Sequence, residues 1–263
     1  MNAAHFYATK WEFNIIEHAN PLGYEIAEIR ARLEEAQIQF EDLHGIKLLK
    51  VHESYRRFID LCGQLRFQIR WANIQRVPRT SVLGHLLFVA ILSYLFSLQA
   101  SACPRRAINN YFTGLFHDLP EVLTRDIISP VKRSIEGLED LIKEYEREMM
   151  EKEVYRLIPE EWHSEFRMFT ENEFDSTAFV DGRQQNVTSK QIDTLYNADE
   201  FNPKDGELVK AVDRLAAYIE AYVAIKNGSG SPELHEALWF MRNKGSQASV
   251  GGIHFEEIYA DFE

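Results

Sequence analysis

The chain has 263 residues, a hydrophobic fraction of 45% and an aromatic fraction of 12%. This composition supplies enough apolar surface for a core and excludes a wholly disordered chain. The 41 acidic and 29 basic residues give a formal net charge of −12. This charge argues against non-specific binding to nucleic acid or to an anionic membrane, because both need clustered Lys and Arg. One small nucleotide held by a few local cations remains compatible with it.

The N-terminal sequence and the cysteine content predict a cytoplasmic protein. The opening residues, MNAAHFYATKWEF, lack the basic start and apolar core of a secretory signal. Cys62 and Cys103 are too few to form a disulfide framework. The most apolar run, Leu86 to Phe96, is about half as long as a bilayer requires. We therefore expect this run to form the innermost helix of a soluble fold rather than a membrane span.

Apolar residues recur at steps of three and four over most of the chain, which predicts an all-α fold. Alternating strand patterns are scarce. The helical pattern is visible over five segments: 24–43, 53–69, 86–98, 108–119 and 212–223.

Two further segments differ in character. Residues 134–156 are rich in Glu and Lys, which predicts a solvated helix to which we assign no chemistry. Residues 168–206 are polar and weakly periodic, and they predict an inserted loop or lid.

Most of the nine histidines have no ligand-type neighbour at useful spacing and are expected on the surface or in packing roles. His85 differs because it begins the most apolar helix, and the pair His117-Asp118 differs because it ends another apolar stripe. Polar groups at such positions must be paired or bind a metal, since an isolated buried charge is costly. Asp213 borders the apolar stripe of a third helix; on its own it is equally compatible with a structural partner of an Arg or of a helix end.

Together, His85, His117, Asp118 and Asp213 offer two nitrogen and two oxygen ligands from three helices. This set suits one divalent transition metal (Mn, Co, Ni, Zn or Fe). Pro120 is expected to end the helix that carries His117, because it has no N–H to donate. Glu121 then lies in the next helical turn, where it either faces the metal or is a carboxylate that stabilises the helix N-terminus.

The order His85, His117-Asp118, Asp213 resembles the H…HD…D signature of the HD-domain metal-dependent phosphohydrolase superfamily. The sequence is most similar to the bacterial 5'-deoxynucleotidase branch. That resemblance is carried by Arg70-Trp71, by the Arg79-Thr80-Ser81-Val82 stretch before His85, and by HDLPEVLTRDIISPVK at residues 117–132. It runs from about residue 64 to about residue 227.

The resemblance implies an HD-domain helical bundle over residues 61–263, with a polar insertion at about 168–206. Residues 1–60 would form an N-terminal helical extension packed on this core. Related enzymes are commonly homodimers, and we expect the same here. The implied activity is metal-dependent hydrolysis of the 5'-phosphate of deoxyribonucleoside monophosphates.

The resemblance also implies roles for individual residues. Arg70 would clamp the phosphate and Trp71 would crowd the 2' side of the sugar. Glu121, with Asp118 beside it, would handle protons. The remaining implied contacts are Asp126 to the 3'-hydroxyl, with Arg79 and Lys132 as further cations or as structural partners of carboxylates.

Two alternatives stay open. A triphosphohydrolase or phosphodiesterase of the same superfamily would need more cations around the site, and Arg183 and Lys190 of the insertion are candidates to supply them. A non-catalytic binding protein with an HD fold is the other alternative, although the presence of all four metal ligands and of Glu121 argues against it.

Overall fold

The structure is a computed structural model that describes residues 1–124, 138–246 and 249–262. The chain divides into two compact units, Met1–Leu61 and Cys62–Glu263. This boundary lies next to the one that the sequence predicts. The packing of residues 1–60 on the rest of the chain stays a prediction.

The first unit is helical. Its elements are α1 (Asn2–Ala19), α2 (Ile26–Gln37), a 3₁₀ turn (Ile38–Phe40), α3 (His44–Val51) and most of α4 (Glu53–Gln64). The ring of Phe6 on α1 lies 5.1 Å from that of Phe40, and Arg30 on α2 forms an ion pair with Glu17 on α1. These contacts join the first two helices of the unit.

The second unit is also mainly helical, which confirms the predicted fold class. Its helices are α5 (Val82–Gln99), α6 (Pro104–Phe116), α7 (Glu121–Thr124), α8 (Leu138–Met149), α9 (His163–Thr170), α10 (Ser189–Gln191), α11 (Gly206–Lys226), α12 (Pro232–Gly245) and α13 (Phe255–Ala260). Two short antiparallel hairpins accompany them, β1 (Thr177–Val180) with β2 (Arg183–Asn186) and β3 (Ser249–Val250) with β4 (Ile253–His254).

Helix α11 lies at the centre of the core. Its residues Val209, Val212, Leu215 and Ala216 are almost fully buried, and Val89 of α5 and Phe255 of α13 belong to the same apolar cluster. Burying this stripe removes apolar surface from water and is the main force that holds the helices together. Asp213 lies on this helix, so the core fixes its position.

Helix α5 departs from the expectation of an innermost helix. Val89 and Ala90 are buried, but Leu87, Ile91 and Leu95 on the opposite side are each about half exposed. By length and apolar composition α5 could cross a membrane, with 39% of it buried inside the protein; the core helix of a globular fold passes the same test. Only one face of this apolar helix therefore packs into the core.

Helix α6 buries a polar face rather than the apolar stripe predicted for it. Asn110 Nδ2 donates to Ser97 Oγ of α5 at 2.9 Å, and Asn110 Oδ1 accepts from the Asp205 backbone N–H at 2.8 Å. Arg106 is fully buried and pairs with the carboxylates of Asp193 and Asp205. Each of these buried side chains has at least one polar partner, which reduces the desolvation penalty of packing this face. It joins α6 to α5 and to the start of α11.

The 168–206 segment is more regular than the predicted loop or lid. Its hairpin turns at Asp181-Gly182, and both residues have positive φ (51° and 76°), as a type I′ turn requires. The segment is held by Lys204, whose buried ammonium donates to the carbonyls of Met168 at 2.8 Å and Asn172 at 2.6 Å. The Asp-Gly dipeptide was the sequence signal for this hairpin.

Candidate metal centre and substrate cavity

Three helices bring the predicted metal ligands together. His85 lies in the first turn of α5, whose N-cap Ser81 accepts a hydrogen bond from the Gly84 N–H at 3.1 Å. His117 follows the last residue of α6, and Asp213 lies on α11. His85, His117 and Asp213 each offer a ligand atom, and these atoms all lie within 4.8 Å of one another.

The helix that leads into the His117-Asp118 pair ends there, as predicted. Helix α6 ends at Phe116, and α7 begins at Glu121, directly after Pro120. The lack of an N–H on proline explains why α6 does not continue. Asp118 therefore sits in the turn between two helices, where its carboxylate reaches both His117 and Arg70.

Both imidazole rings direct Nε2 toward carboxylates. His85 Nε2 lies 3.0 Å from Asp213 Oδ1. His117 Nε2 lies 3.2 Å from Asp118 Oδ2 and 3.7 Å from Asp213 Oδ1. The two ring centroids are 5.7 Å apart. Three of the predicted ligands, His85, His117 and Asp213, thus converge on one small volume, and Asp118 approaches it beside His117.

The hydrogen bond of the other ring nitrogen, Nδ1, determines the tautomer of His117. Nδ1 lies 3.0 Å from the Gly114 carbonyl oxygen, which can only accept a hydrogen bond. In the neutral ring the proton therefore belongs on Nδ1, and Nε2 carries the lone pair. In the part of the chain that the structure describes, this buried Nε2 has no hydrogen-bond partner. A metal ion would satisfy it, so the donor set fits the metal that the sequence predicts.

The electrostatics of the cluster also favour a cation. Burial would raise the pKa of Asp118, but His117 and Arg70 lower it to about 2. Burial likewise opposes ionisation of Asp213, yet the adjacent imidazoles of His117 and His85 hold its pKa well below the usual range. The same carboxylates raise the pKa of His117 against the effect of burial. Both carboxylates are thus ionised, and they stabilise positive charge between them.

The cluster opens into a cavity of about 360 Å³, the size of a small-molecule pocket. Arg70, Asp118 and Glu121 line it, and Glu121 is buried. Arg70 Nη1 lies 3.5 Å from Asp118 Oδ2. Burial acts to lower the pKa of Arg70, but Glu220 and Asp118 are the main carboxylates that raise it overall, so Arg70 stays cationic. An anion entering the cavity would meet this charge.

Several predicted substrate residues lie elsewhere. Trp71 is not among the described residues that line the cavity; its indole N–H donates to Glu220 Oε2 at 3.2 Å. Arg79, Arg183 and Lys190 are exposed and do not belong to the described lining either. Asp126 and Lys132 lie outside the described residues.

The structure adds cavity residues that the sequence analysis missed. Helix α8, predicted to be a solvated helix without chemistry, places Lys143 and Arg147 in the cavity wall. Their spacing of four is the signal, because such residues share one face of a helix. Lys210 lies three residues before Asp213 on α11 and also lines the cavity, with its ammonium 5.6 Å from the centre of the Phe174 ring.

Comparison with known proteins gives two kinds of relative. A curated 5'-deoxynucleotidase from Pasteurella multocida is 21% identical over 175 residues, which cover 65% of this chain and 76% of the relative. The solved structure of an HD-domain phosphohydrolase from Listeria innocua aligns with a TM-score of 0.58 at 18% identity, covering 79% of this chain and 88% of the other.

A second structure, a conserved hypothetical protein from Pyrococcus furiosus, aligns with a TM-score of 0.51 at 18% identity and covers 78% of this chain and 96% of the other. At 18% identity these two structures support the fold and nothing more specific.

The family model for the HD domain matches residues 62–239, more than half of the chain. This match begins at the first residue of the second compact unit and includes every ligand of the candidate metal centre. The chain belongs to the HD-domain family.

Proposed function

We propose that this protein is a metal-dependent phosphohydrolase that removes the 5'-phosphate from deoxyribonucleoside monophosphates. The observation that carries the proposal is the convergence of His85, His117 and Asp213 beside a cavity that Arg70 and Glu121 line. The name of the Pasteurella multocida relative supports the choice of substrate class.

His85, His117, Asp118 and Asp213 would hold one divalent transition metal (Mn, Co, Ni, Zn or Fe). Such a metal supplies Lewis-acid chemistry, which activates water and neutralises charge on the phosphoryl oxygens. The lone pair on His117 Nε2 and the two ionised carboxylates support this ligand set.

Arg70 and Glu121 would act on the substrate. The guanidinium of Arg70 has a planar fork of donors, which suits a phosphate group, and its charge lies next to Asp118. Glu121 lies at the start of α7 within the cavity wall. A carboxylate there can take a proton from the attacking water or give one to the departing ribose oxygen.

The contacts to the sugar rest on the resemblance alone. Trp71 would exclude the 2'-hydroxyl and Asp126 would accept from the 3'-hydroxyl, with Arg79 and Lys132 as further cations. The side chain of Trp71 points to Glu220 rather than to the cavity lining, so its proposed effect on the sugar is indirect or requires a rearrangement on binding.

A triphosphohydrolase is the second candidate, and one observation favours it. Lys143, Arg147 and Lys210 line the cavity, and a di- or triphosphate needs additional cations of this kind. If it is correct, Lys143→Ala should raise the KM for a deoxyribonucleoside triphosphate several-fold, whereas Lys190→Ala, on an exposed lysine outside the described lining, should leave it unchanged.

The test is phosphate release by the metal-supplemented protein from matched deoxyribonucleoside and ribonucleoside monophosphates, deoxyribonucleoside triphosphates and cyclic dinucleotides. The proposal expects the highest kcat/KM on the deoxyribonucleoside monophosphates and inorganic phosphate as product. Release of triphosphate from the triphosphates would establish the second candidate instead. No turnover of any nucleotide by metal-loaded protein would contradict both.

We further propose a cytoplasmic homodimer. Leu87, Ile91 and Leu95 form an exposed apolar face on α5, and the whole helix carries no Asp, Glu, Lys or Arg. Two copies, each with a net charge of −12, can therefore meet there without bringing carboxylates together. Light scattering should give twice the mass of the chain, and Ile91→Glu should give a monomer; a monomeric wild-type protein at micromolar concentration would refute this.

A further inference from the structure

Glu220 is a buried carboxylate that none of the proposed catalytic roles uses. It lies on α11 seven residues after Asp213, which places both side chains on the same helix face two turns apart. Its side chain is only 6% exposed. A carboxylate buried to this degree is costly unless several donors satisfy it.

One oxygen of Glu220 binds the metal-site histidine. Oε1 lies 3.0 Å from Nδ1 of His85, on the far side of the ring from Asp213. A carboxylate oxygen accepts a hydrogen bond, so Glu220 favours the His85 tautomer that has its proton on Nδ1 and leaves the Nε2 lone pair for a metal. His117 reaches the same state through a backbone carbonyl, which makes Glu220 the only side chain in the described cluster that sets a ligand tautomer.

The other oxygen of Glu220 holds the Arg70-Trp71 pair. Oε2 accepts from Trp71 Nε1 at 3.2 Å and from Arg70 Nε at 3.4 Å. Trp71 has a φ of +59°, a conformation that bulky residues adopt only when their surroundings stabilise it. The indole hydrogen bond to Glu220 is one such source of stabilisation.

A second arginine adds to this arrangement. Arg76 is 2% exposed, and its ion pair with Glu220, at 3.7 Å, is the one recorded for it within the described residues. Among the described residues, the three guanidinium nitrogens of Arg76 meet no hydrogen-bond partner. Glu220 thus lies between the guanidinium groups of Arg70 and Arg76 on one side and the imidazole of His85 on the other.

We propose that Glu220 is a positioning residue that couples the metal site to the substrate site, because its two oxygens orient His85 and the Arg70-Trp71 pair at the same time. The inference rests on the proposed metal-dependent function. Since the carboxylate must satisfy both sides, disturbing one side alters the geometry of the other. Metal binding and phosphate binding should therefore each strengthen the other.

Glu220→Gln is the sharpest variant. It keeps the volume of the side chain but has a single acceptor oxygen, so it can satisfy His85 or the Arg70-Trp71 pair but not both. Loss of such an outer partner typically weakens metal binding about 10- to 100-fold. Glu236→Gln, at an exposed position on α12, is the matched control because it makes the same change of charge.

The experiment is calorimetric titration of Co²⁺ into metal-free protein, with and without inorganic phosphate. Wild-type protein and Glu236→Gln should bind one Co²⁺ more tightly when phosphate is present. Glu220→Gln should bind Co²⁺ about 10- to 100-fold more weakly, and phosphate should no longer change its affinity. The ¹⁵N NMR signals of His85 should also change from the Nδ1–H form to a mixture of tautomers, which a purely structural role would not produce.

Glu220→Gln that binds Co²⁺ within twofold of wild type and keeps the effect of phosphate would overturn this inference and leave the proposed function intact. Wild-type protein that binds no metal would overturn both. If Glu220→Gln does not fold, Trp71→Phe removes only the indole donor, far from the metal ligands in the chain. It should weaken Co²⁺ binding several-fold if the coupling runs through Glu220, and unchanged Co²⁺ affinity would contradict the coupling.

Discussion

Gly114 lies against the backbone of Ala90 so closely that a Cβ atom on Gly114 would meet Ala90 N and Cα at 2.9 Å. This contact sets the distance between α6, which ends just before His117, and α5, which begins three residues before His85. The carbonyl of Gly114 also accepts the Nδ1 proton of His117. One glycine thus determines both the spacing and the orientation of a predicted metal ligand.

Gly114→Ala should therefore separate the two helices and weaken the metal site. Over-packing of this kind typically costs about 1–3 kcal/mol. We expect that loss in the free energy of unfolding, together with weaker metal binding. Gly45→Ala is the control, because a Cβ there meets nothing within 4 Å; equal effects of the two substitutions would show that the close contact does not matter.

Asp213→Asn should remove the metal. Asp213 Oδ1 lies close to both Nε2 atoms, 3.0 Å from that of His85 and 3.7 Å from that of His117, so its negative charge is central to holding a cation there. We expect the metal content of the purified variant to fall from about one ion per chain to a small fraction, with the helical circular dichroism retained. Full metal occupancy in the variant, measured by elemental analysis, would contradict the ligand set.

Glu121→Gln should keep the fold and the metal but lose turnover. A proton-transferring carboxylate typically contributes about a hundredfold to ten-thousandfold to the rate. If Glu121 only stabilises the N-terminus of α7, the change should cost at most about 1 kcal/mol and leave kcat almost unchanged. Measuring kcat and metal content on the same preparation separates these two roles.

Lys204→Met should destabilise the wall of the cavity. The ammonium donates to three backbone carbonyls, of Met168, Asn172 and Glu173, and methionine fills the space without a donor. Leaving buried acceptors unsatisfied costs about 1–3 kcal/mol, which should appear in urea unfolding. Lys190→Met, at an exposed position, should have no effect; if the two variants unfold alike, the buried ammonium contributes nothing to stability.

The sequence was sufficient to predict the helical class and the convergence of His85, His117 and Asp213, three of the four predicted metal ligands. His85, His117 and Asp213 could be found because each polar residue borders an apolar stripe, and the order of the residues matches the HD-domain signature. The break at Pro120 followed from the chemistry of proline. The apolar stripes and the proline break each lie in residues that are close together in the sequence.

The remaining features depend on packing that the sequence does not display. Helix α5 looks buried on every face, but its partners cover only the side of Val89 and Ala90. Helix α8 looks merely solvated, yet its Lys143 and Arg147 face the cavity. Glu220 stands among apolar residues of α11, and only the contact with His85 from a distant helix shows its role.

The central claim is that a metal held by the four predicted ligands is required for phosphate release. The direct measurement is phosphate released from a deoxyribonucleoside monophosphate by the purified protein, by the same protein after chelation, and after Mn²⁺ or Co²⁺ is restored. We predict a loss of about a hundredfold or more on chelation, as expected when a metal supplies several kcal/mol of transition-state stabilisation, and recovery when the metal returns. Undiminished phosphate release by protein that elemental analysis shows to be metal-free would contradict the account.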